Sequence, residues 1–339
     1  MSHVTHELVL EVLEGCAHSA LEEAQRLGPA RAAGPTELVL TTEDLDAVRG
    51  LRRVVAASTS MTVPARRPRE LLDTSVQQRI GDLLADIGRQ RPRQRFTGLR
   101  LEAAGSHTPD MRRLADAFAE HAGVEVDEDG DLVVRVRRGA GPGTWQVLLR
   151  TTPRPLSTRA WRTVDYPGAV NATIAATVLD LLEVGAEDHL LDMTCGSGTF
   201  LIEQLAVAAP ARTIGVDLNP AAIDAAQQHQ RAARRRGRID WITGDVLTTD
   251  LDPGFTRLLT NPPWGTLHGE HESNERLLAD LLDRGAELAA PEARMGVLTH
   301  EITRMHRVLE RPGLPWRPVG EHRFFQKGHH PRLFLLERG

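Results

Sequence analysis

The chain has 339 residues, 41% hydrophobic and 26% charged, with a formal net charge of −5 and two cysteines. That length accommodates two or three domains of ~100–200 residues each. No apolar run approaches the ~18 residues of a membrane span, and Cys16 and Cys195 make neither a disulfide framework nor a metal cluster. The opening Met1–Glu7 lacks the basic and apolar regions of a secretory leader. A cytoplasmic chain with no membrane partner and no metal is expected.

Charge is unevenly spread. Residues 61–163 carry 18 basic and 13 acidic side chains, a net of +5, whereas residues 1–60 come to −4 and residues 164–339 to −6. The middle segment is therefore the candidate nucleic-acid face. Its basic residues are arginines, because Lys327 is the only lysine in the chain.

In chain order, Leu8 to Val12 reads as a strand and His18 to Leu27 as a helix stopped by Gly28-Pro29. Glu37 to Leu40 returns as a strand, Thr42 caps a helix that starts at Thr42-Glu43-Asp44-Leu45, and Val54 to Ser58 closes an α+β unit. Pro64 to Arg69 is a connector. Leu71 to Ile87 places Leu72, Val76, Ile80, Leu83, Leu84 and Ile87 on one helical face. Arg89 to Arg95 is a basic loop, Phe96 to Leu101 a strand and Asp110 to Ala122 a helix. Asp131 to Arg137 alternates as a half-buried strand does, and Trp145 to Arg150 follows as another.

Pro153-Arg154-Pro155 and Tyr166-Pro167-Gly168 mark a linker into the third unit. Strands at 189–192, 213–217, 240–243, 258–260 and 295–299 then alternate with helices at 200–207, 221–234 and 274–288. That alternation predicts a doubly wound α/β sheet. Residues 323–336 read as an antiparallel hairpin at its edge.

Two motifs in the third unit carry chemistry. The strand ending in Asp192 runs into Met193-Thr194-Cys195-Gly196-Ser197-Gly198-Thr199. Glycines there permit a tight turn and close approach of a ligand to the backbone. Asp192 is placed to hold a cationic amino group, through water or directly. The next strand ends in Asp217, 21 residues after Gly196, the spacing at which an acid bonds ribose hydroxyls. Dinucleotide enzymes share that geometry. Gly244-Asp245-Val246 ends a third strand, where the acid can accept from an adenine amino group or simply form a turn.

Asn261-Pro262-Pro263-Trp264 ends a fourth strand. The prolines lack amide hydrogens and stiffen the loop. The Asn261 side-chain oxygen and the Pro262 carbonyl can both accept from one NH2 group. Two acceptors draw that nitrogen toward tetrahedral geometry and aim its lone pair at a methyl donor, while Trp264 can stack on the planar target.

On these motifs residues 164–339 resemble a class I S-adenosylmethionine-dependent methyltransferase of the amino-methylating kind. The resemblance implies S-adenosylmethionine as cofactor, held by Asp192, Thr194, Cys195, Gly196, Ser197, Gly198, Thr199, Asp217, Leu218, Asp245, Val246 and Asn261. It implies Asn261, Pro262, Pro263 and Trp264 at the acceptor amine. Many relatives carry proline after the motif acid where this chain has Met193.

Upstream, Arg95 to Arg100, Gly105-Ser106-His107, Arg112 to Ala122, Asp131 to Val136 and Leu156 to Arg162 resemble a THUMP domain. Residues 1–60 resemble the ferredoxin-like unit that precedes it. The expected organisation is an N-terminal α+β ferredoxin-like domain at 1–65, a THUMP RNA-binding domain at 66–160 and a Rossmann-like methyltransferase domain at 164–339. The whole resembles the tRNA guanine-N2-methyltransferases, nearest the group acting at position 6. That implies a monomer binding the acceptor stem and 3′ end of tRNA. Arg66, Arg67, Arg91, Arg93, Arg95, Arg112, Arg113 and Arg159 are the candidate phosphate contacts. Other readings are guanine-N2 methylation of ribosomal RNA or of tRNA position 10, methylation of adenine N6 or of a glutamine amide, and an inactive RNA-binding protein. The role of Arg231 to Arg238 stays open.

Overall fold

A computed structural model describes residues 5–89, 95–263, 271–325, 328 and 330–339. By internal contacts the chain divides into two units: residues 1–12 with 20–157, and residues 13–19 with 158–339.

The first unit is built on β1 (His6–Glu11), α1 (Ala17–Gln25), β2 (Ala30–Gly34), β3 (Glu37–Thr42), β4 (Ala56–Pro64), α2 (Thr74–Arg89), β5 (Leu99–Ala103), α3 (Pro109–Ala122), β6 (Leu132–Arg138) and β7 (Thr144–Arg150). These strands make one seven-stranded sheet in the order β2-β3-β1-β4-β7-β6-β5. The sheet therefore runs without a break through both of the N-terminal segments expected from sequence, joined where Ser58 to Pro64 of β4 pairs with Arg150 to Thr144 of β7.

Alternation explains its core. Met61, Val63, Val134, Val136, Val147 and Leu149 share a cluster with Ile80 and Leu84 of α2 and Leu114 and Phe118 of α3. The intervening residues carry charge: Arg135 pairs with Glu102 and Glu11, and Arg137 pairs with Glu37.

The expected helix from Thr42 is absent. A 3-10 turn at Ala47–Gly50 takes its place. The Thr42 hydroxyl donates to the Leu27 carbonyl at 2.9 Å, and it is the Asp44 carboxylate that accepts from the Asp46 and Ala47 amides. The strand expected from Phe96 begins at Leu99.

The second unit comprises α4 (Ala172–Leu181), β8 (His189–Asp192), α5 (Thr199–Leu205), β9 (Arg212–Asp217), α6 (Pro220–Ala233), β10 (Asp240–Thr243), β11 (Phe255–Thr260), α7 (His271–Leu288), β12 (Ala289–Thr299), α8 (Ile302–Leu309), β13 (Trp316–Arg323) and β14 (Arg332–Arg338). The sheet order is β10-β9-β8-β11-β12-β14-β13. The first five are parallel, and β14 and β13 add an antiparallel edge.

Both faces of this sheet are covered, which is why its central strands are continuously apolar. Leu190 and Leu259 join the cluster under α4 and α5, while their neighbours Leu191 and Leu258 join the one under α7 and α8. Chain progression reverses between β8 and β11. Such a switch point opens a crevice at the carboxyl ends of the strands, and there the two chemical motifs meet.

Candidate active site

A cavity of about 430 Å³ opens at that crevice, within the range of small-molecule sites. Its walls come from the loops after β8, β9, β10 and β11, and from Tyr166 to Val170, Leu277 and Leu281.

The loop after β8 turns through Gly196 and Gly198, both at positive φ (51° and 79°). The two glycines serve different ends. A Cβ on Gly196 would meet open space, and its N–H donates to Asp217 Oδ2 at 2.8 Å. A Cβ on Gly198 would lie 2.5 Å from Cη2 of Trp241. Gly198 caps α5 and lets that helix close against Trp241; among the expected cofactor residues it and Asp192 do not line the cavity.

Asp192 is fully buried. Its Oδ1 accepts from the Thr194 N–H at 3.4 Å, and its Oδ2 has no hydrogen-bond partner among the described residues. Burial, reinforced by the charge of Asp217, pushes its carboxyl well above the usual range. Burial and the same two acids push the Cys195 thiol up as well.

Asp217 ties the site together. Oδ2 receives Gly196 and Oδ1 receives the Asn219 N–H at 2.9 Å. Leu218 beside it is 72% exposed on the cavity wall, an apolar surface offered to a ligand. After β10, Asp245 Oδ1 accepts from the Leu247 N–H, and Val246 and Leu247 continue the apolar wall.

The turn after β11 is locked onto the glycine loop. The Asn261 N–H donates to Thr194 Oγ1 at 3.0 Å, which lies 2.8 Å from Thr260 Oγ1. Asn261 and Pro263 line the cavity, Pro262 is buried, and Asn261 Oδ1 is a buried acceptor with no described partner. An orphaned buried acceptor is costly unless a ligand satisfies it. Trp264 lies outside the described residues.

The segment read as a linker is a wall of the site. Arg159 donates through Nε and Nη2 to both carboxylate oxygens of Glu203, at 2.9 and 3.2 Å. Arg162 Nη2 donates to the Val170 carbonyl and to Thr199 Oγ1. The Val164 N–H donates to His229 Nε2, whose ring is edge-on to Trp161. Tyr166, the only tyrosine, accepts from Asn219 Nδ2 at 3.2 Å. Burial and Asp217 raise its hydroxyl pKa, so it keeps a proton to donate. In sequence Tyr166-Pro167-Gly168 reads as a turn in a linker, with no local signal that it lines a site.

Arg159 is therefore not a phosphate contact. It is 7% exposed and consumed by Glu203, because a buried guanidinium needs a bidentate partner. Arg66, Arg67, Arg95, Arg112 and Arg113 are exposed. Arg91 and Arg93 lie outside the described residues. Among the described residues no group of three or more His, Cys, Asp or Glu could hold a metal, and no helix is long and apolar enough to cross a membrane.

The UPF0020 family, described as an RMKL-like methyltransferase domain, matches residues 159–332. A tRNA (guanine(6)-N2)-methyltransferase of Methanocaldococcus jannaschii is 25% identical over 43% of this chain and 48% of its own length. A tRNA (guanine(10)-N2)-dimethyltransferase of Methanothermobacter thermautotrophicus is 28% identical over the same shares. The chain thus spans about half the length of the curated relatives it matches. Among solved structures, TrmN from Thermus thermophilus superposes with a TM-score of 0.76 at 21% identity, covering 99% of this chain and 100% of that one. A possible methylase from Clostridium difficile 630 follows with a TM-score of 0.73 at 16% identity and 99% of each chain. Those two share the fold.

Proposed function

The chain belongs to the UPF0020 family of RMKL-like methyltransferase domains, and from that membership we propose that it methylates the N2 amino group of a guanosine in tRNA, at position 6 of the acceptor stem. The observation that carries the amine-directed reading is the orphaned, buried Asn261 Oδ1 on the wall of a cavity that a glycine loop also lines.

The residues present fit S-adenosylmethionine. Asp217 would accept from its ribose hydroxyls and Asp245 from its adenine amino group, with Leu218, Val246 and Leu247 against the ring. Asp192, buried and off the cavity wall, would bear on the cofactor through the Thr194 N–H that it accepts and not by touching it. When bound, the cofactor supplies an electrophilic methyl group on a sulfonium. Asn261 Oδ1 and the Pro262 carbonyl accept the two hydrogens of the target amine and hold its lone pair in line. In this scheme the amine loses its proton to solvent after the C–N bond forms. Rate then comes from proximity and orientation in a site the protein has pre-shaped.

For the RNA, the support is the curated relatives' substrates and the exposed arginines of the first unit. Arg66, Arg67, Arg95, Arg112 and Arg113 offer exposed cations for phosphates, consistent with a THUMP-like role for that segment. The target guanine must leave the stack, because N2 is out of reach within a helix.

The test is methyl transfer from labelled S-adenosylmethionine to unmodified tRNA, ribosomal RNA and DNA in parallel, with Asn261→Ala as control. Label in tRNA with the parent and none with Asn261→Ala is expected. Label confined to ribosomal RNA or DNA overturns the substrate, and full activity in Asn261→Ala overturns the role of the site.

A further inference from the structure

One charged surface is absorbed by neither the cavity nor the first unit. Arg231, Arg234, Arg235, Arg236 and Arg238 fall within eight residues at the carboxyl end of α6 and the turn after it, and all are exposed. Arg238 pairs with Asp240 at 2.7 Å. The side chains of the other four make no ion pair or hydrogen bond among the described residues. Elsewhere in this unit exposed or half-exposed arginines are matched, as in Arg284–Glu287, Arg294–Glu183 and Arg307–Glu275.

The cluster is held rather than trailing. Arg234 takes a left-handed conformation at φ 50° to end the helix. Gly237, at φ 119°, lies so close to the end of α5 and the loop after it that a Cβ would sit 2.5 Å from Leu205 Cδ2 and 3.0 Å from Ala209 Cβ. A helix dipole favours a cation in the last turn, and Arg231 satisfies it. Arg235 and Arg236 lie beyond the helix, where mutual repulsion is unrewarded. Their setting is a segment, 164–339, of net charge −6.

Position gives the surface a use. The amino end of α6 follows Asn219 on the cavity wall, and its carboxyl end leads into the amino end of β10, the edge strand. Fourteen residues of helix at 1.5 Å each set the cluster about 20 Å from the cavity rim. Guanidinium groups bind phosphate oxygens through paired N–H donors.

We infer that Arg231, Arg234, Arg235 and Arg236 form an RNA-phosphate contact surface of the second unit, gripping the substrate's backbone about 20 Å from the base being modified. This rests on RNA being the substrate. The surface fixes register and affinity and takes no part in transfer.

The test uses the full chain carrying Arg231→Ala, Arg235→Ala and Arg236→Ala together, with a matching triple lysine variant. Arg234 is left in place so that the residue ending α6 is unchanged. Binding of unmodified tRNA is measured across a salt series, alongside methyl transfer and S-adenosylhomocysteine affinity. The alanine variant should lose about ten-fold or more in tRNA affinity, and its log–log salt slope should fall by about 2–3, the value for three lost phosphate contacts. KM for tRNA should rise while kcat and S-adenosylhomocysteine affinity hold, and the lysine variant should restore the slope. An unchanged slope, or equal loss in the lysine variant, overturns the surface. Parent that binds RNA through these arginines but methylates none refutes the substrate reading and keeps the surface. Parent that binds no RNA refutes both.

Discussion

Thr194 Oγ1 accepts the backbone N–H of Asn261 at 3.0 Å, across 67 residues of sequence. The bond joins the glycine loop after β8 to the Asn-Pro-Pro turn after β11, the two loops that flank the switch point of the sheet. The groups proposed to hold the methyl donor and the acceptor amine are thereby parts of one rigid construction, and each side of it makes a separable prediction.

Asn261→Ala removes the orphaned acceptor but keeps the backbone bond to Thr194. Methyl transfer should fall by about 10²–10³-fold, the usual cost of one polar group that acts in the transition state. S-adenosylhomocysteine affinity should change by no more than a few-fold in a calorimetric titration. Equal loss of both would mean that Asn261 merely shapes the cavity.

Asp192→Asn tests the buried acid. Its raised pKa means that folding favours the protonated carboxyl. That stabilisation is fully present below the ordinary carboxyl range and is lost as pH rises through the raised value. The asparagine does not titrate. Without ligand, its thermal midpoint relative to the parent should therefore climb with pH, gaining about 1–3 kcal/mol at alkaline pH from the removed unsatisfied charge. A pH-independent difference in stability would contradict the account.

Arg159→Ala separates structure from RNA binding. Stranding Glu203 in the interior should cost about 3–5 kcal/mol, read as a lower thermal midpoint and weaker S-adenosylhomocysteine binding as the Tyr166–Val170 wall loosens. The salt dependence of tRNA binding should be unchanged. A reduced slope with unchanged stability would restore Arg159 as a phosphate contact.

The glycines predict a contrast. Gly196→Ala pays only backbone strain of about 1–3 kcal/mol, since its Cβ enters open space. Gly198→Ala adds a clash with the Trp241 ring and should lower stability further. Trp241→Leu in the same chain should recover part of that loss and none of the Gly196→Ala cost, checked by denaturant unfolding.

The parallel sheet was legible because strands buried on both faces are short apolar runs, such as Leu190-Leu191 before Asp192 and Leu258-Leu259 shortly before Asn261. Other parts were not. β2, Ala-Arg-Ala-Ala-Gly, has no β-branched residue and exists through pairing with β3. Thr42 carries the signature of a helix cap, yet its hydroxyl is claimed by Leu27. Tyr166 to Val170 reads as a linker because what makes it a wall, Arg159 on Glu203 and Val164 on His229, spans 44 and 65 residues. Local spacing also cannot tell that Gly196 faces a cavity while Gly198 faces a tryptophan.

The most direct measurement is the identity of the methylated nucleoside in tRNA treated with the chain, by digestion and mass spectrometry with fragment mapping. N2-methylguanosine in the acceptor-stem fragment is the result the account predicts. N6-methyladenosine, or label in any nucleoside other than guanosine, would contradict it.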